Sequence, residues 1–294
     1  MVEWVRDRGL SMRMLMTMFL LVLVYLIFLT VLYTIGVGYM GLLLFAGGFI
    51  LLQYYFSDKL VLYTSGAKVV DENEAPELYS MVRELSMNAG LPMPRVAIVD
   101  TPVPNAFATG RNPQNAVVAV TTGLLRTLNY EELKAVIGHE LSHVKNRDVA
   151  VITIASFLST VAWFVMRWAM FAGMFGDRRD NTSTNIIILA VSALVWFISF
   201  LLIRALSRYR EYAADLGSAY LTRNPEALIS ALMKISGKME RISPQYKKEA
   251  EGLNAFYIIP ALSGESLLSL FSTHPPVEKR VERLQKISAE LGIY

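Results

Sequence analysis

His139, Glu140 and His143 stand at i, i+1 and i+4 within His139-Glu140-Leu141-Ser142-His143. On a helix the two histidines lie one above the other on one face, so both imidazoles can take corners of a tetrahedral Zn²⁺. Glu140 then sits beside the ion rather than on it. A carboxylate there can accept a proton from a metal-activated water and pass it to a leaving amine, the chemistry of metal-dependent peptide hydrolysis. The chain has only three histidines in 294 residues, so this spacing is not the by-product of a histidine-rich composition. It has no cysteine, which excludes a thiolate site and leaves imidazole and carboxylate as the donors.

The flanking residues predict a helix that begins near Asn129. Asn129 suits an N-cap, and Glu131 and Glu132 fall in the first turn, where the helix dipole favours acids. Leu133, Val136, Ile137, Leu141 and Val144 recur at three- and four-residue spacing and mark its buried stripe. Gly138, just ahead of the first histidine, costs about 1 kcal/mol against Ala inside a helix. Close packing of another backbone is one use for it, and simple tolerance is the other.

A catalytic zinc takes three protein ligands and keeps one position open. Val144-Lys145-Asn146-Arg147-Asp148 contains no histidine, so the third ligand is not immediately downstream. His274 and a later glutamate remain. In Arg210-Glu211-Tyr212-Ala213-Ala214-Asp215, two acids at i, i+4 on a predicted helix repel unless a cation or a donor sits against them. Glu211 can bind zinc directly, while Asp215 can accept the free N–H of a ligating histidine and fix its tautomer. A plain solvated face is the competing reading of the same pair.

Mean hydropathy of +0.40 with 54% hydrophobic residues points to membrane spans. Four candidate transmembrane helices are read: Met14 to Ile35 and Gly36 to Phe56, joined by a turn at Gly36-Val37-Gly38; Val149 to Met166, continued past Arg167 to Phe175; and Ile186 to Ile203. The net charge of +3 is small, and the basic residues gather at span ends (Arg6, Arg8, Arg13, Lys59, Lys68, Lys145, Arg147, Arg204, Arg208, Arg210) rather than in a nucleic-acid stripe. The positive-inside rule then puts both termini and the polar segments in the cytoplasm, with the loop at Asp177-Arg178-Arg179-Asp180 outside.

These spans divide the chain into a transmembrane hairpin (1–56), a first polar segment with the histidine helix (57–148), a second hairpin (149–206) and a second polar segment (207–294). Each polar segment is too short for a comfortable domain, so the economical reading is one domain assembled from both. Within it, Glu74–Ala89, Ser207–Leu221, Pro225–Met239 and Pro276–Leu291 are predicted helices, and Arg95–Asp100 and Ala116–Thr121 are predicted strands. Ser243 to Pro260 shows no periodicity and is predicted to be a loop or flap. Asn105 to Thr109 is a short extended segment after Pro104, of the kind that can hold a peptide by backbone pairing.

His139-Glu140-Leu141-Ser142-His143 followed by Lys145-Asn146-Arg147-Asp148, then Arg210-Glu211-Tyr212-Ala213-Ala214-Asp215 after a membrane segment, resembles the HtpX-type membrane zinc metalloproteases, relatives of the eukaryotic CAAX-prenyl endoprotease. The resemblance extends to Asn105-Ala106-Phe107-Ala108-Thr109-Gly110 and to His274-Pro275-Pro276, and so covers nearly the whole chain. It implies a mainly α membrane protein with a gluzincin-like α+β protease domain, one Zn²⁺ on His139, His143 and Glu211, and Glu140 as general base and acid. It also lends Asp215 the orienting role, makes Asn105 a substrate contact and His274 a stabiliser of oxyanion charge, and has Arg280 order the site. Ordinary turn and helix-capping roles for Asn105 and His274 compete with these. The implied setting is a prokaryotic cell membrane, with protein or peptide substrates, a lipid surroundings and a part in membrane-protein quality control. A CAAX-type processing protease is the neighbouring alternative. A zinc transporter is the alternative from another class, disfavoured because transport sites lie near the bilayer midplane and the two histidines precede the third apolar run.

Overall fold

The computed structural model describes residues 7–34, 39–175, 182–240 and 274–292. Its helices are α1 (Arg8–Thr34), α2 (Tyr39–Ser65), α3 (Pro76–Ala89), α4 (Thr122–Thr127), α5 (Tyr130–Asn146), α6 (Asp148–Phe175), α7 (Thr182–Thr222), α8 (Pro225–Glu240) and α9 (Val277–Glu290). Four strands, β1 (Lys68–Val70), β2 (Arg95–Val99), β3 (Ala106–Thr109) and β4 (Val117–Thr121), form one sheet in the order β1-β2-β4-β3. The turn at 36–38, the loop at 177–180 and the segment 243–260 lie outside the described residues.

The chain folds as two compact units. One comprises Ser11–Tyr55 and Val151–Leu206. Its core joins Phe28, Leu32, Ala46, Val161, Val165, Ile188 and Val195. Leu15, Phe19 and Ile27 of α1, and Ile187 and Leu194 of α7, stay exposed instead, an apolar exterior that suits lipid and not water. Among the described residues three helical segments are long and apolar enough to cross a membrane, Arg8–Thr34, Asp148–Met170 and Thr184–Thr222. That is one fewer than the sequence suggested. The second apolar run is the one without a counterpart among these; it lies in α2, which does not stop at Phe56 but continues through charged residues to Ser65.

The other unit comprises Met1–Leu10, Phe56–Ala150 and Ser207–Tyr294. The last turns of α2 belong to it: Val61 and Leu62 pack with Ala97, Val99, Phe107, Val117 and Ala119 on one face of the sheet. β1 runs antiparallel to β2, β2 parallel to β4, and β3 antiparallel to β4 with Ala106 opposite Val120. The other face carries the main core, where Val96, Val118 and Val120 meet Leu78, Met81, Val82 and Leu85 of α3, the buried stripe of α5, and Leu228, Leu232 and Ile235 of α8. Pro76 takes the first position of α3, where its missing N–H is no loss, so the helix starts there rather than at Glu74. Gly110 ends β3 at φ 126°, and a Cβ on it would lie 2.5 Å from the Asn115 carbonyl oxygen, so only glycine fits this turn.

The fourth apolar run and the predicted helix from Ser207 are one continuous helix, α7. Good helix formers between Arg204 and Arg210 give the chain no reason to stop, whereas α5 and α6 do break, at Arg147, whose φ of 56° is left-handed.

Candidate metal centre

Asn129 caps α5 as its sequence requires. Its side chain accepts from the Glu132 N–H at 2.9 Å, and Glu132 Oε2 accepts from the Asn129 N–H at 2.9 Å, a reciprocal box. Glu132 also receives the Ser230 hydroxyl at 2.6 Å and the Lys234 ammonium at 2.7 Å, tying α5 to α8. At Gly138 α7 crosses closely: a Cβ there would be 3.6 Å from Ser218 Cα, and the Ser218 hydroxyl donates to the Ala135 carbonyl at 2.6 Å. Of the two uses open to Gly138, the structure shows close packing. α7 in turn brings Glu211 and Asp215 to the histidines.

His139 Nε2 and His143 Nε2 lie 3.1 Å apart, and the Glu211 carboxylate stands 3.5 Å from the first and 3.4 Å from the second. A tetrahedral zinc with bonds of about 2.0–2.1 Å separates its ligand atoms by about 3.3 Å, so the three donors already sit at the corners such an ion needs. Among the described residues, these three form a group whose ligand atoms all lie within 4.8 Å of one another.

The tautomers agree. His139 Nδ1 is 3.0 Å from Asp215 Oδ1 and His143 Nδ1 is 2.6 Å from Asp148 Oδ2. Each carboxylate takes an N–H there, which leaves the Nε2 lone pairs facing each other, an arrangement that is repulsive until a cation lies between them. The buried charges point the same way. Glu140, Asp148, Glu211 and Asp215 oppose Arg210 and Arg280, an excess of two negative charges that a divalent cation balances. The residues present therefore fit a zinc ion.

Burial depresses the basicity of both imidazoles, but the Asp215 and Glu211 carboxylates outweigh it at His139, and Glu211 and Glu140 outweigh it at His143, so both pKa values are raised. Burial pushes the Glu211 carboxyl up, yet the three histidines around it hold it well below the usual carboxylate range.

Arg280 is 1% exposed and grips Asp215 with two bonds, Nε to Oδ2 at 3.0 Å and Nη2 to Oδ1 at 2.6 Å. His274 Nδ1 stands 3.0 Å from Glu211 Oε2, so His274, Glu211, Asp215 and Arg280 all meet at one buried cluster with the two metal-site histidines. Asn105 is also buried. Its N–H donates to the Thr121 hydroxyl and its carbonyl accepts from the Thr121 N–H, both at 2.9 Å, which locks the entry to β3 onto β4. β3 is the edge of the sheet and packs on α5.

Two members of this cluster were not legible as such. Asp148 reads in sequence as a polar residue before an apolar run, and Arg210 as one of the basic residues flanking another. In the fold both are buried and form an ion pair. The only sequence signal for Arg210 is its place next to Glu211.

A family model described as Peptidase family M48 matches residues 72–288. The chain is 56% identical over 291 residues to "Protease HtpX homolog 2" of Methanosarcina acetivorans, with 99% of each chain covered. It is 55% identical over 288 residues to "Protease HtpX homolog" of Moorella thermoacetica, covering 97% of this chain and 96% of that one. The crystal structure of S. mikatae Ste24p superposes with a TM-score of 0.58 at 17% identity, over 95% of this chain and 67% of its own, a likeness of fold. With its apolar helices and its two-histidine, one-glutamate group, the chain belongs to peptidase family M48 as an HtpX-type membrane metalloprotease.

Proposed function

We propose that the protein is a zinc-dependent endopeptidase that cuts membrane or misfolded proteins in segments lying at the cytoplasmic membrane surface. The observation that carries this reading is the convergence of His139 Nε2, His143 Nε2 and the Glu211 carboxylate at 3.1–3.5 Å, with buried Glu140 next in the chain to the first of them. Zinc held there supplies an activated water and a Lewis acid for the scissile carbonyl. Glu140 removes the proton of the attacking water and delivers it to the departing amine. Asp215 keeps His139 in the tautomer that leaves its Nε2 free. The edge of β3 offers backbone groups to an extended peptide, which selects strand-like, unfolded segments without strict side-chain preference. Asn105 shapes that edge, and His274 with Arg280 supplies positive or donor character beside Glu211.

The presence of a sheet edge and a general base next to the ligands favours hydrolysis over metal transport, which needs neither. The test is digestion of an unfolded membrane protein by the full chain in detergent. The intact chain should cut, a chelator should stop it, added zinc should restore it, and Glu140→Gln should hold zinc without cutting. Turnover by zinc-loaded Glu140→Gln, or cutting that a chelator leaves untouched, would overturn the proposal.

A further inference from the structure

The two histidines of the metal centre are held in matching ways by different elements. His139 is bound by Asp215, which Arg280 of α9 clamps. His143 is bound at 2.6 Å by Asp148, which pairs with Arg210 of α7. We infer that Asp148 and Arg210 are positioning residues for the metal site: Asp148 fixes the tautomer and ring orientation of His143, and Arg210 braces Asp148. The inference rests on the zinc-site reading above.

Three observations carry it. First, His143 and Asp148 are five positions apart, and on one continuous helix they would be turned about 140° from each other. They meet only because Arg147 adopts φ 56°, ending α5 with its N–H on the His143 and Val144 carbonyls and sending the chain back toward the histidine. A non-glycine residue held in the left-handed region costs free energy that surrounding contacts must offset. Second, Arg210 fixes that turn from outside: it is 7% exposed, pairs with Asp148, and its Nη2 donates to the Asn146 carbonyl at 3.3 Å, one of the last acceptors of α5. Third, Arg210 adjoins Glu211 on α7, so one stretch of helix supplies both a metal ligand and the brace for another ligand's partner. A buried guanidinium is costly away from an anion, and Arg210, 7% exposed, has Asp148 as its partner. A purely structural contact between α5 and α7 is already made at Gly138 and Ser218 without any charge.

The test uses the full chain in detergent, with zinc affinity read by competition against a chelator and folding read from melting of the metal-free form. Asp148→Asn keeps the shape and removes the charge. The double variant Asp148→Leu with Arg210→Met removes both charges together, so that no unpaired ion is left buried. Each is expected to melt near the intact metal-free chain, yet to bind zinc about 10- to 100-fold more weakly, the usual effect of losing such an outer carboxylate. In the zinc-loaded intact chain, His143 should show a downfield imidazole N–H proton resonance that Asp148→Asn weakens or shifts. Either variant, folded and holding zinc with unaltered affinity, would overturn the inference and make the pair a structural contact only. Should one variant fail to fold, the other decides. If the intact chain itself binds no zinc, the proposed function fails first, an outcome distinct from intact binding that the variants do not change.

Discussion

At the metal centre two imidazole nitrogens 3.1 Å apart, each with its far N–H given to a carboxylate, make a pocket that is uncomfortable for the metal-free protein. One relief is protonation: burial opposes it, but Asp215 and Glu211 at His139, and Glu211 and Glu140 at His143, outweigh burial and raise both pKa values. The sign follows from linkage. Groups whose folded pKa lies above the unfolded 6.5 stabilise the metal-free fold at lower pH, and that contribution is lost as pH rises through the folded value. Zinc requires both nitrogens bare, so its binding behaves in the opposite sense. The prediction is that melting of the metal-free chain falls as pH rises from about 6 through the neutral range, while the stabilisation by zinc shrinks on acidification, starting above pH 6.5. Calorimetry with and without the ion checks both limbs, and a zinc increment flat from pH 5 to 8 would contradict the site. Glu211→Ala removes a donor 3.4–3.5 Å from both nitrogens and should strip the metal on dialysis. Unchanged zinc content would move the third ligand to His274.

At the scale of elements, α5 was readable because every device in it is local: the Asn129 cap, the acids of the first turn, and an apolar stripe at helical spacing. The strands β2 and β4 were readable for the same reason. β1 was not, since three residues between a span and a helix carry no period of their own. Asp148 was not, since a residue at i+5 faces its histidine only through the left-handed turn at Arg147, and no local rule places that turn. Hydropathy marks where the run in α7 stops being apolar, not where it stops being helical, so the sequence divides it into a span and a separate helix. Its passage over Gly138 gives a prediction. A Cβ there meets the Ser218 hydroxyl and Thr222 Cγ2, both at 3.2 Å, and that hydroxyl is already committed to the Ala135 carbonyl. Gly138→Ala gains about 1 kcal/mol of helix propensity against a tight contact and should be near neutral. Gly138→Val overpacks the crossing and should cost about 1–3 kcal/mol. It should also weaken zinc binding, because Glu211 rides on α7 two turns before Ser218. Melting and zinc competition on both variants test this, and a valine variant with unaltered stability and affinity would show that the crossing is not tight.

At the scale of the whole molecule, connectivity alone limits where cutting can occur. Glu211 lies eight residues past Ile203, the end of the apolar run in α7, and His143 six residues before Val149, where another begins. Eight residues span at most about 28 Å fully extended, and about 12 Å as the helix they form. On the α5 side the turn at Arg147 breaks the helix, so the shorter figure rests on α7. A centre tethered this way reaches loops and tails close to a bilayer more easily than a remote domain, and if substrates bind along β3 as proposed, a buried span must first be drawn out. The prediction follows for one cleavable sequence moved stepwise away from the membrane span of a substrate in reconstituted vesicles. Cutting should peak within the first several residues beyond the bilayer on the side that bears the metal centre, and decline both inside the span and far from it. Cuts confined to the interior of an intact span, or to the face opposite the metal centre, would sink the topology together with the placement of the site. A profile flat with distance would instead mean that substrates reach the centre from solution, and that the membrane helices serve to anchor the protein without confining its reach.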